Sequence, residues 1–290
     1  MGPSRLPTRR VAKYESYCAM SNPSPCLEPV QAVRPAAPYI GGKRMLAQRL
    51  VALINETPHT AYAEAFVGMG GVFFRRDRRP KAEIINDWSD DVSNLFRILQ
   101  HHYVAFMDML RFQLTTRSNF ERLLALEPAS LTDLQRAARF IYVQKTAFGG
   151  KVASRHFGVN LGTGARFDVT KLGPVLEAIH ERLSGVVVER KPWREFVERY
   201  DRPGVLFYLD PPYFGNEGDY GAGLFSRDQF AEMAEVLAGL KGRFILSIND
   251  RPEVREIFAA FDQRAEDVTW SMAHASKGAA RKFGELIITG

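Results

Sequence analysis

Four consecutive residues, Asp210-Pro211-Pro212-Tyr213, combine a carboxylate, two prolines and an aromatic ring directly after the apolar run 205–209. Proline has no backbone N–H and holds φ at about −65°, so the carbonyl groups of this segment point in a set direction. The carboxylate and a neighbouring carbonyl can then accept both hydrogens of one amino group, and the ring offers a face to a flat base. The tetrapeptide therefore predicts a pocket for a planar substrate with an exocyclic amine, although Asp-Pro and Pro-Pro also occur in ordinary turns.

A second group of residues has the order of a nucleotide-binding unit. A short strand predicted over 61–66 is followed by the glycine-rich turn 67–71, then by 72–74, where the pattern predicts that a helix opens. A second predicted strand, 82–85, ends in Asn86-Asp87. Strand, glycine turn, helix, strand and acid is the order of a nucleotide-binding βαβ unit.

The turn lacks what a phosphate site requires. A dinucleotide fingerprint needs a third glycine three positions after Gly70, where the chain has Phe73, and no Gly-Lys-Ser/Thr sequence follows. Asp87, nineteen residues after Gly68, is placed to accept hydrogen bonds from ribose hydroxyls. These residues favour an adenosine cofactor without phosphates, of which S-adenosylmethionine is the commonest. A plain turn, with Asp87 as a helix N-cap, is the alternative.

The elements that must position these residues alternate between strand and helix patterns. Strands are predicted over 61–66, 82–85, 186–188, 205–209, 244–247 and 285–289, and helices over 175–183, 192–200, 227–239 and 252–260. Between them, helical spacing over 95–99, 106–110 and 134–143 precedes a glycine-rich, basic, irregular stretch over 148–167. The sequence therefore predicts an open, doubly wound α/β sheet that is interrupted by a mostly helical insert.

Composition excludes several classes of protein. The chain has 290 residues, of which 46% are hydrophobic and 25% charged, as in soluble globular proteins. No stretch approaches the roughly 18 apolar residues of a membrane span, and no secretory signal is visible. The only cysteines, Cys18 and Cys26, lie in the leading segment, so a reducing cytoplasm is expected. His101, His102 and His274 lack companions at zinc-like spacing, so we expect no metal site.

The positive charge is concentrated in the middle of the chain. The net charge is +6, and residues 93–175 hold eleven basic and five acidic side chains. This imbalance predicts that the insert binds a polyanion, with a solvated helical face as the alternative. We expect a disordered basic extension over 1–34, a catalytic domain built from 35–92 and 176–290, and a target-recognition insert over 93–175.

Four motifs occur in one order: Tyr39-Ile40-Gly41-Gly42-Lys43, the segment 64–71, Asn86-Asp87 and the tetrapeptide 210–213. Together they resemble the Dam-type (alpha-group) adenine-specific DNA methyltransferases, whose recognition insert lies between the cofactor and catalytic motifs. The similarity runs from about Pro38 to the C-terminus, with further support at Phe225, Ser226, Phe230, 245–250 and 283–287.

This resemblance implies a Rossmann-like S-adenosylmethionine-dependent methyltransferase sheet. It also implies site-specific transfer of a methyl group from S-adenosylmethionine to the exocyclic N6 of an adenine that is flipped out of the duplex. The catalytic residues would be Asp210, Pro211, Pro212 and Tyr213. The cofactor-binding residues would be Tyr39, Lys43, Glu64, Phe66, Gly68, Gly70, Asp87, Trp88 and Asp210.

The insert would provide the contacts to double-stranded DNA, through Lys145, Lys151, Arg155, Asn160 and Arg166. The stretch 150–164 corresponds in location to the family's recognition hairpin, but it departs from the pattern of the GATC-modifying members, so the target sequence stays open. We expect a monomer without an obligate protein partner, in the cytoplasm of a bacterium or of a phage-infected host. It would belong to a restriction–modification system or act as an orphan phage enzyme.

Three alternatives remain at this point. Methyltransferases of protein glutamine also use Pro-Pro-Tyr, but generally with Asn where this chain has Asp210, and they give no reason for a basic insert. An RNA methyltransferase is the second alternative. A catalytically inactive DNA-binding relative is the third, and the complete tetrapeptide together with Asp87 argues against it.

Overall fold

The structure, a computed structural model, describes residues 27–39, 43, 45–150, 152, 155–159, 162, 164–217, 225–269 and 282–290. Its strands are β1 (Glu28–Pro29), β2 (Ala61–Glu64), β3 (Arg78–Arg79), β4 (Ala82–Asn86), β5 (Val187–Glu189), β6 (Val205–Leu209), β7 (Arg243–Asn249), β8 (Asp262–Thr269) and β9 (Lys282–Thr289). Its helices are α1 (Ala47–Glu56), α2 (Asp90–His101), α3 (Tyr103–Leu110), α4 (Arg117–Ala125), α5 (Asp133–Thr146), α6 (Val169–Arg182), α7 (Trp193–Tyr200), α8 (Asp228–Ala238) and α9 (Pro252–Ile257).

Seven strands form one mixed sheet in the order β5-β4-β2-β6-β7-β9-β8. The first five run parallel, whereas β9 lies antiparallel to both β7 and β8. The chain winds outward from β2 to β4 and β5, and then from β6 to β7 in the other direction. The switch point therefore lies between β2 and β6, where open α/β sheets bind ligands at the carboxyl ends of their strands. The predicted doubly wound α/β fold is confirmed.

Two apolar cores cover the faces of the sheet. Alternate residues of a strand point to opposite faces, and β6 follows this rule: Leu206 and Tyr208 join one core, while Phe207 and Leu209 join the other. The first core includes α1 and the helices of the insert, and the second includes α7, α8 and α9. Since β6 is buried along its whole length, the residue that follows it is presented at a rigid edge.

Between β4 and β5, the described part of the chain contains five helices, α2 to α6. In α5 the Thr132 hydroxyl accepts from the Gln135 N–H, and the Gln135 side chain accepts from the Thr132 N–H, which gives a capping box. The predicted boundaries between the catalytic domain and the insert, 92/93 and 175/176, fall inside α2 and α6. The insert and the sheet also share one apolar core. The division into a catalytic domain and an insert stays a prediction.

Some elements differ from the expectations. The helix expected at 72–74 is only a 3₁₀ turn over Phe73–Arg75, and α4 and β8 were not predicted. Helix α4 is short and mostly polar, with Phe120 and Leu123 as its buried residues. Strand β8 lies at the sheet edge, where strands carry charge in place of an apolar pattern.

Residues 27–34, the last part of the predicted extension 1–34, are described by the structure. Strand β1 pairs with β3, and Val33 is buried; residues 1–26 lie outside the described residues. His101 and His102 are exposed at the end of α2, and His274 is also outside the described part. No helix among the described residues is both long and apolar enough to span a membrane.

Candidate active site

A cavity of about 780 Å³ opens at the switch point of the sheet. Because β2, β4 and β6 are parallel, their carboxyl ends bring Glu64, Asp87 and Asp210 to one edge. Predicted site residues that line this cavity are Tyr39, Lys43, Glu64, Phe66, Gly68, Asp87, Trp88, Asp210, Pro212, Lys145 and Arg166. Gly70, Pro211, Tyr213 and Arg155 are not among its described lining residues, and Gly41, Gly42, Lys151 and Asn160 lie outside the described part of the chain.

The glycine turn closes the end of the cavity beside Asp87. Gly68 has φ +50°, and a Cβ there would lie 3.1 Å from the Tyr39 ring, so glycine permits both the backbone conformation and the close packing. Gly70 has φ +74°, and a Cβ there would clash with the Phe74 ring at 2.1 Å. The close packing of the Phe74 ring therefore explains why residue 70 is a glycine, whereas Gly68 lines the cavity.

Both carboxylate oxygens of Asp87 accept a backbone hydrogen bond. Oδ2 accepts from Gly68 N and Oδ1 from Ser89 N, each at 2.8 Å; Ser89, and not Asp87, is the N-cap of α2. Burial raises the pKa of Asp87 to about 6, and the two N–H groups partly offset this effect. Each carboxylate oxygen can accept a second hydrogen bond, so Asp87 keeps acceptor capacity toward the cavity that it lines.

Glu64, the last residue of β2, is a buried carboxylate in the cavity wall. The Tyr62 hydroxyl donates to Glu64 Oε2 at 2.7 Å. Burial raises the pKa of Glu64 to about 8, although the hydrogen bond from Tyr62 and the positive charge of Arg76 act against this rise. Glu64 can therefore hold a cationic group, whose charge would favour the ionised carboxylate.

A buried ion triad lies next to Tyr62, the hydrogen-bond donor to Glu64. Glu83 accepts from Arg76 Nη1 at 2.6 Å and from Arg182 Nη1 and Nη2 at 2.6 and 2.7 Å. The Arg76 guanidinium also lies 3.8 Å from the centroid of the Tyr62 ring. The triad therefore packs against Tyr62, the residue that donates a hydrogen bond to Glu64.

Asp210 is held through one of its two oxygens. Its Oδ1 lies 3.0 Å from Lys43 Nζ and accepts from the Ser247 hydroxyl at 3.2 Å. Among the described residues, none forms a hydrogen bond or an ion pair with Oδ2, and the side chain remains 19% exposed. Burial raises the pKa of Asp210 to about 6; Lys43 opposes this shift and Glu285 adds to it. One oxygen is therefore fixed by the protein, and the other can accept a hydrogen bond from a ligand.

Lys43 is a buried cation between two carboxylates. Its Nζ lies 3.2 Å from Glu285 Oε2 and 3.1 Å from the Tyr213 hydroxyl. Burial opposes the charged form, but the attraction of Asp210 and Glu285 outweighs it, so the pKa of Lys43 is raised. Lys43 thus remains an ammonium group and cannot serve as a base.

Tyr213 is tied to the same cluster. Its hydroxyl donates to Glu285 Oε1, and Lys43 Nζ lies 4.4 Å from the centroid of its ring. Just beyond it, the Asn249 side chain accepts from Phe214 N at 2.8 Å and donates to Phe214 O at 3.0 Å. The tetrapeptide is therefore anchored at Asp210, at Tyr213 and at the residue that follows.

The charge of the cavity differs between its walls. Three of its acidic groups, Glu64, Asp87 and Asp210, lie at the sheet edge, and the fourth, Asp168, precedes α6. Its basic groups come from the segment before α1, from Arg75 after β2 and from the insert. Aromatic side chains are supplied by Phe66, Trp88 and Phe225. A cationic, ribose-containing ligand with a flat base suits the acidic and aromatic wall, and S-adenosylmethionine has this chemistry.

The basic residues of the insert also make internal contacts. Lys145 Nζ donates to Ala36 O at 3.0 Å, and Arg166 Nη1 donates to Ala147 O at 2.9 Å. Arg155 Nη2 donates to Gln144 Oε1 at 3.2 Å, and burial lowers its pKa. Lys145 and Arg166 nevertheless line the cavity, whereas Arg155 is half-buried beside the insert core.

Sequence reasoning missed Glu285, Ser247 and Tyr62 as site residues. Glu285 and Ser247 were noted only as parts of supporting segments. A signal for Glu285 was available, because a charged residue within an apolar strand requires a partner when it is buried. No local pattern distinguishes Ser247 or Tyr62 from other strand residues.

Comparison with known proteins identifies relatives. The sequence profile of the D12 class N6 adenine-specific DNA methyltransferases matches residues 39–272. The type II methyltransferase M.CviBI of Paramecium bursaria Chlorella virus NC1A is 21% identical over 232 residues, which are 79% of this chain and 88% of the viral protein. The crystal structure of ribosomal protein L11 methylase from Lactobacillus delbrueckii subsp. bulgaricus is weakly similar. Its TM-score is 0.35 at 10% identity, over 88% of this chain and 82% of that one.

Proposed function

Because the chain belongs to the D12 class of N6 adenine-specific DNA methyltransferases, we propose that its cavity transfers a methyl group from S-adenosylmethionine to an adenine of double-stranded DNA. One observation supports the assignment of this reaction to the cavity: Asp210 lines the same cavity as the glycine turn and Asp87. The amine-binding corner and the cofactor-binding edge therefore share one space.

S-adenosylmethionine supplies an electrophilic methyl group on a sulfonium sulfur. In this proposal Asp87 accepts hydrogen bonds from the ribose hydroxyls, and Glu64 holds the amino group of the methionine portion. Phe66 and Trp88 contact the adenine ring, and Tyr39 packs beside it against Gly68. Trp88 is 40% exposed with the Arg190 guanidinium 5.3 Å from its ring centroid, so it can cover a ring at the cavity mouth.

Asp210 and the Pro211 carbonyl hold the target amine. The exocyclic nitrogen of adenine is a weak nucleophile because its lone pair is delocalised into the ring. Two acceptors that bind its two hydrogens favour a more tetrahedral nitrogen with an exposed lone pair. This lone pair would form the N–C bond as the S–CH₃ bond breaks to leave a neutral thioether, and the methylated nitrogen would then lose one proton to solvent. Since Lys43 and Ser247 already hold Asp210 Oδ1, Oδ2 is the oxygen that accepts from the amine. Catalysis then consists mainly of positioning and electrostatic stabilisation.

The adenine must leave the duplex to reach this corner. We propose that Tyr213 stacks on the extruded base, since the contacts of its hydroxyl with Glu285 and Lys43 hold the ring. Pro212, which lines the cavity, contributes a second apolar surface. Lys145 and Arg166 on the insert side contact DNA phosphates, and Arg155, Lys151 and Asn160 are the further DNA contacts that we propose.

The experiment uses the full chain with S-adenosylmethionine that carries a labelled methyl group. Double-stranded DNA, RNA and a protein mixture are offered in separate reactions, and modified DNA is digested to nucleosides. We expect the label in N6-methyladenine of DNA, at one sequence context, and a particle of monomer mass in light scattering. Label in RNA or protein alone, or in a cytosine of DNA, would contradict the proposal.

A further inference from the structure

Glu285 connects two residues of the site that are far apart in sequence. Both of its carboxylate oxygens lie within 3.3 Å of Lys43 Nζ, and Oε1 also accepts from the Tyr213 hydroxyl. The residue is only 3% exposed. A buried carboxylate without partners would be strongly unfavourable, so these contacts account for its presence within an apolar strand.

The position of Glu285 follows from strand pairing. It lies on β9, where it is the register partner of Asn249 at the end of β7. This pairing brings a carboxylate from an antiparallel strand to the carboxyl edge of the parallel strands, next to the tetrapeptide. Lys43 reaches the same point from the segment before α1.

We propose that Glu285 is a positioning residue for methyl transfer, which holds Lys43 against Asp210 Oδ1 and fixes the ring of Tyr213. The inference rests on the proposed function. Glu285 contacts neither the DNA nor the cofactor in this account. It acts through the two residues that it binds, and both the amine acceptor and the stacking ring depend on it.

Charge determines how Glu285 acts on Asp210. The ionisable groups around Asp210 are Lys43 before α1, Glu64 on β2, Tyr208 on β6, Tyr213 after β6, and Glu285 on β9. Glu285 contributes negative charge and shares the ammonium of Lys43 with Asp210. If that negative charge is removed, Lys43 interacts with Asp210 alone, and the ionised form of Asp210 becomes more favourable.

Glu285→Gln tests the proposal, because the amide keeps the shape and one acceptor but loses the charge. Glu266→Gln is the matched control: Glu266 is a buried carboxylate directly opposite Glu285 on β8, and its partners are Arg49 and Arg264. Each variant is measured for kcat/KM toward DNA from pH 5 to 8 at saturating cofactor, for DNA and cofactor affinity, and for stability in urea.

We expect Glu285→Gln to lower the rate at pH 8 by about tenfold through misplacement of the reacting groups. We also expect it to move the acid limb of the profile to lower pH by about half a unit or more. The cofactor affinity of Glu285→Gln and the pH profile of Glu266→Gln should both match those of the wild type. An unmoved acid limb, or an equal shift in Glu266→Gln, would overturn the proposal. Lack of methyl transfer by the wild type would instead refute the proposed function.

Discussion

The pKa of Asp210 predicts how the reaction depends on pH. Because Oδ1 already accepts from Lys43 and Ser247, a proton on Asp210 would sit on Oδ2, and the carboxylate must be ionised for Oδ2 to accept a hydrogen bond from the adenine amine. Burial raises its pKa from 3.8 to about 6, so the active form increases with pH through this value and is nearly complete at pH 8. The ionised fraction at pH 5 is about one tenth of that at pH 8. We therefore expect kcat/KM for DNA, which reports groups of the free enzyme, to fall about tenfold over this interval.

Two further carboxylates that are proposed to hold the cofactor, Asp87 and Glu64, titrate in this range and must be separated; the pKa of Glu64 is about 8. Asp87 also has a pKa of about 6, and its protonation would weaken cofactor binding without changing the corner that holds the amine. Saturating S-adenosylmethionine removes this contribution, whereas kcat/KM for the cofactor retains it. The assay therefore measures both profiles with the same enzyme and DNA, and follows folding by circular dichroism at each pH.

Asp210→Asn is the control for this prediction. The amide keeps one acceptor but does not titrate between pH 5 and 8, so its residual rate should be independent of pH in that range. A wild-type profile toward DNA that is flat from pH 5 to 8 would refute the reasoning. An acid limb that persists in Asp210→Asn would also refute it, because another group would then control the reaction.

Three further predictions concern stability. Glu83→Ala leaves two buried guanidinium groups without their carboxylate and should lower the free energy of unfolding in urea by about 3–5 kcal/mol. Glu198→Ala, which removes an exposed ion pair, should change it far less. Gly70→Ala should lower the free energy of unfolding by about 2–4 kcal/mol, because the positive φ and the close Phe74 ring both oppose a Cβ. Gly185→Ala is the control: its φ is +77° and no atom lies within 4 Å of the new Cβ, so only the backbone strain should lower stability. Glu64 keeps its proton up to a pH of about 8 in the folded chain, compared with 4.5 for the ordinary group, so wild-type stability should fall as the pH rises through this interval. Glu64→Gln removes this pH-dependent loss of stability, so the melting temperature of the variant minus that of the wild type should increase from pH 5 to 9. Its cofactor affinity should fall. A melting-temperature difference that does not change with pH would contradict the assigned pKa.

Much of the fold could be predicted because its signals are local. The strand 205–209 is a continuous apolar run, and the structure has β6 over those residues. The α/β alternation on both sides of the insert predicted a doubly wound sheet, and parallel strands then required Glu64, Asp87 and Asp210 to meet at one edge. The cavity contains all three of these residues.

The remaining parts depend on contacts between distant segments. Glu285 and Lys43 are 242 positions apart, and no window of sequence indicates that they pair. Strand β8 carries charged residues at an edge, so its periodicity resembles that of a loop. Arg155 was assigned to DNA from its place in the basic, glycine-rich stretch that corresponds in location to the family's recognition hairpin. Its contact with Gln144 becomes visible only when α5 and the following loop are packed together.

The central claim is that the Asp210 carboxylate holds the target amine during methyl transfer. The most direct test is the single-turnover rate of Asp210→Ala with saturating DNA and labelled S-adenosylmethionine, together with the equilibrium affinity for each ligand. We predict a loss of at least about 10²–10³-fold in rate, with DNA and cofactor affinities close to those of the wild type. A variant that transfers the methyl group at a rate near that of the wild type would contradict the claim.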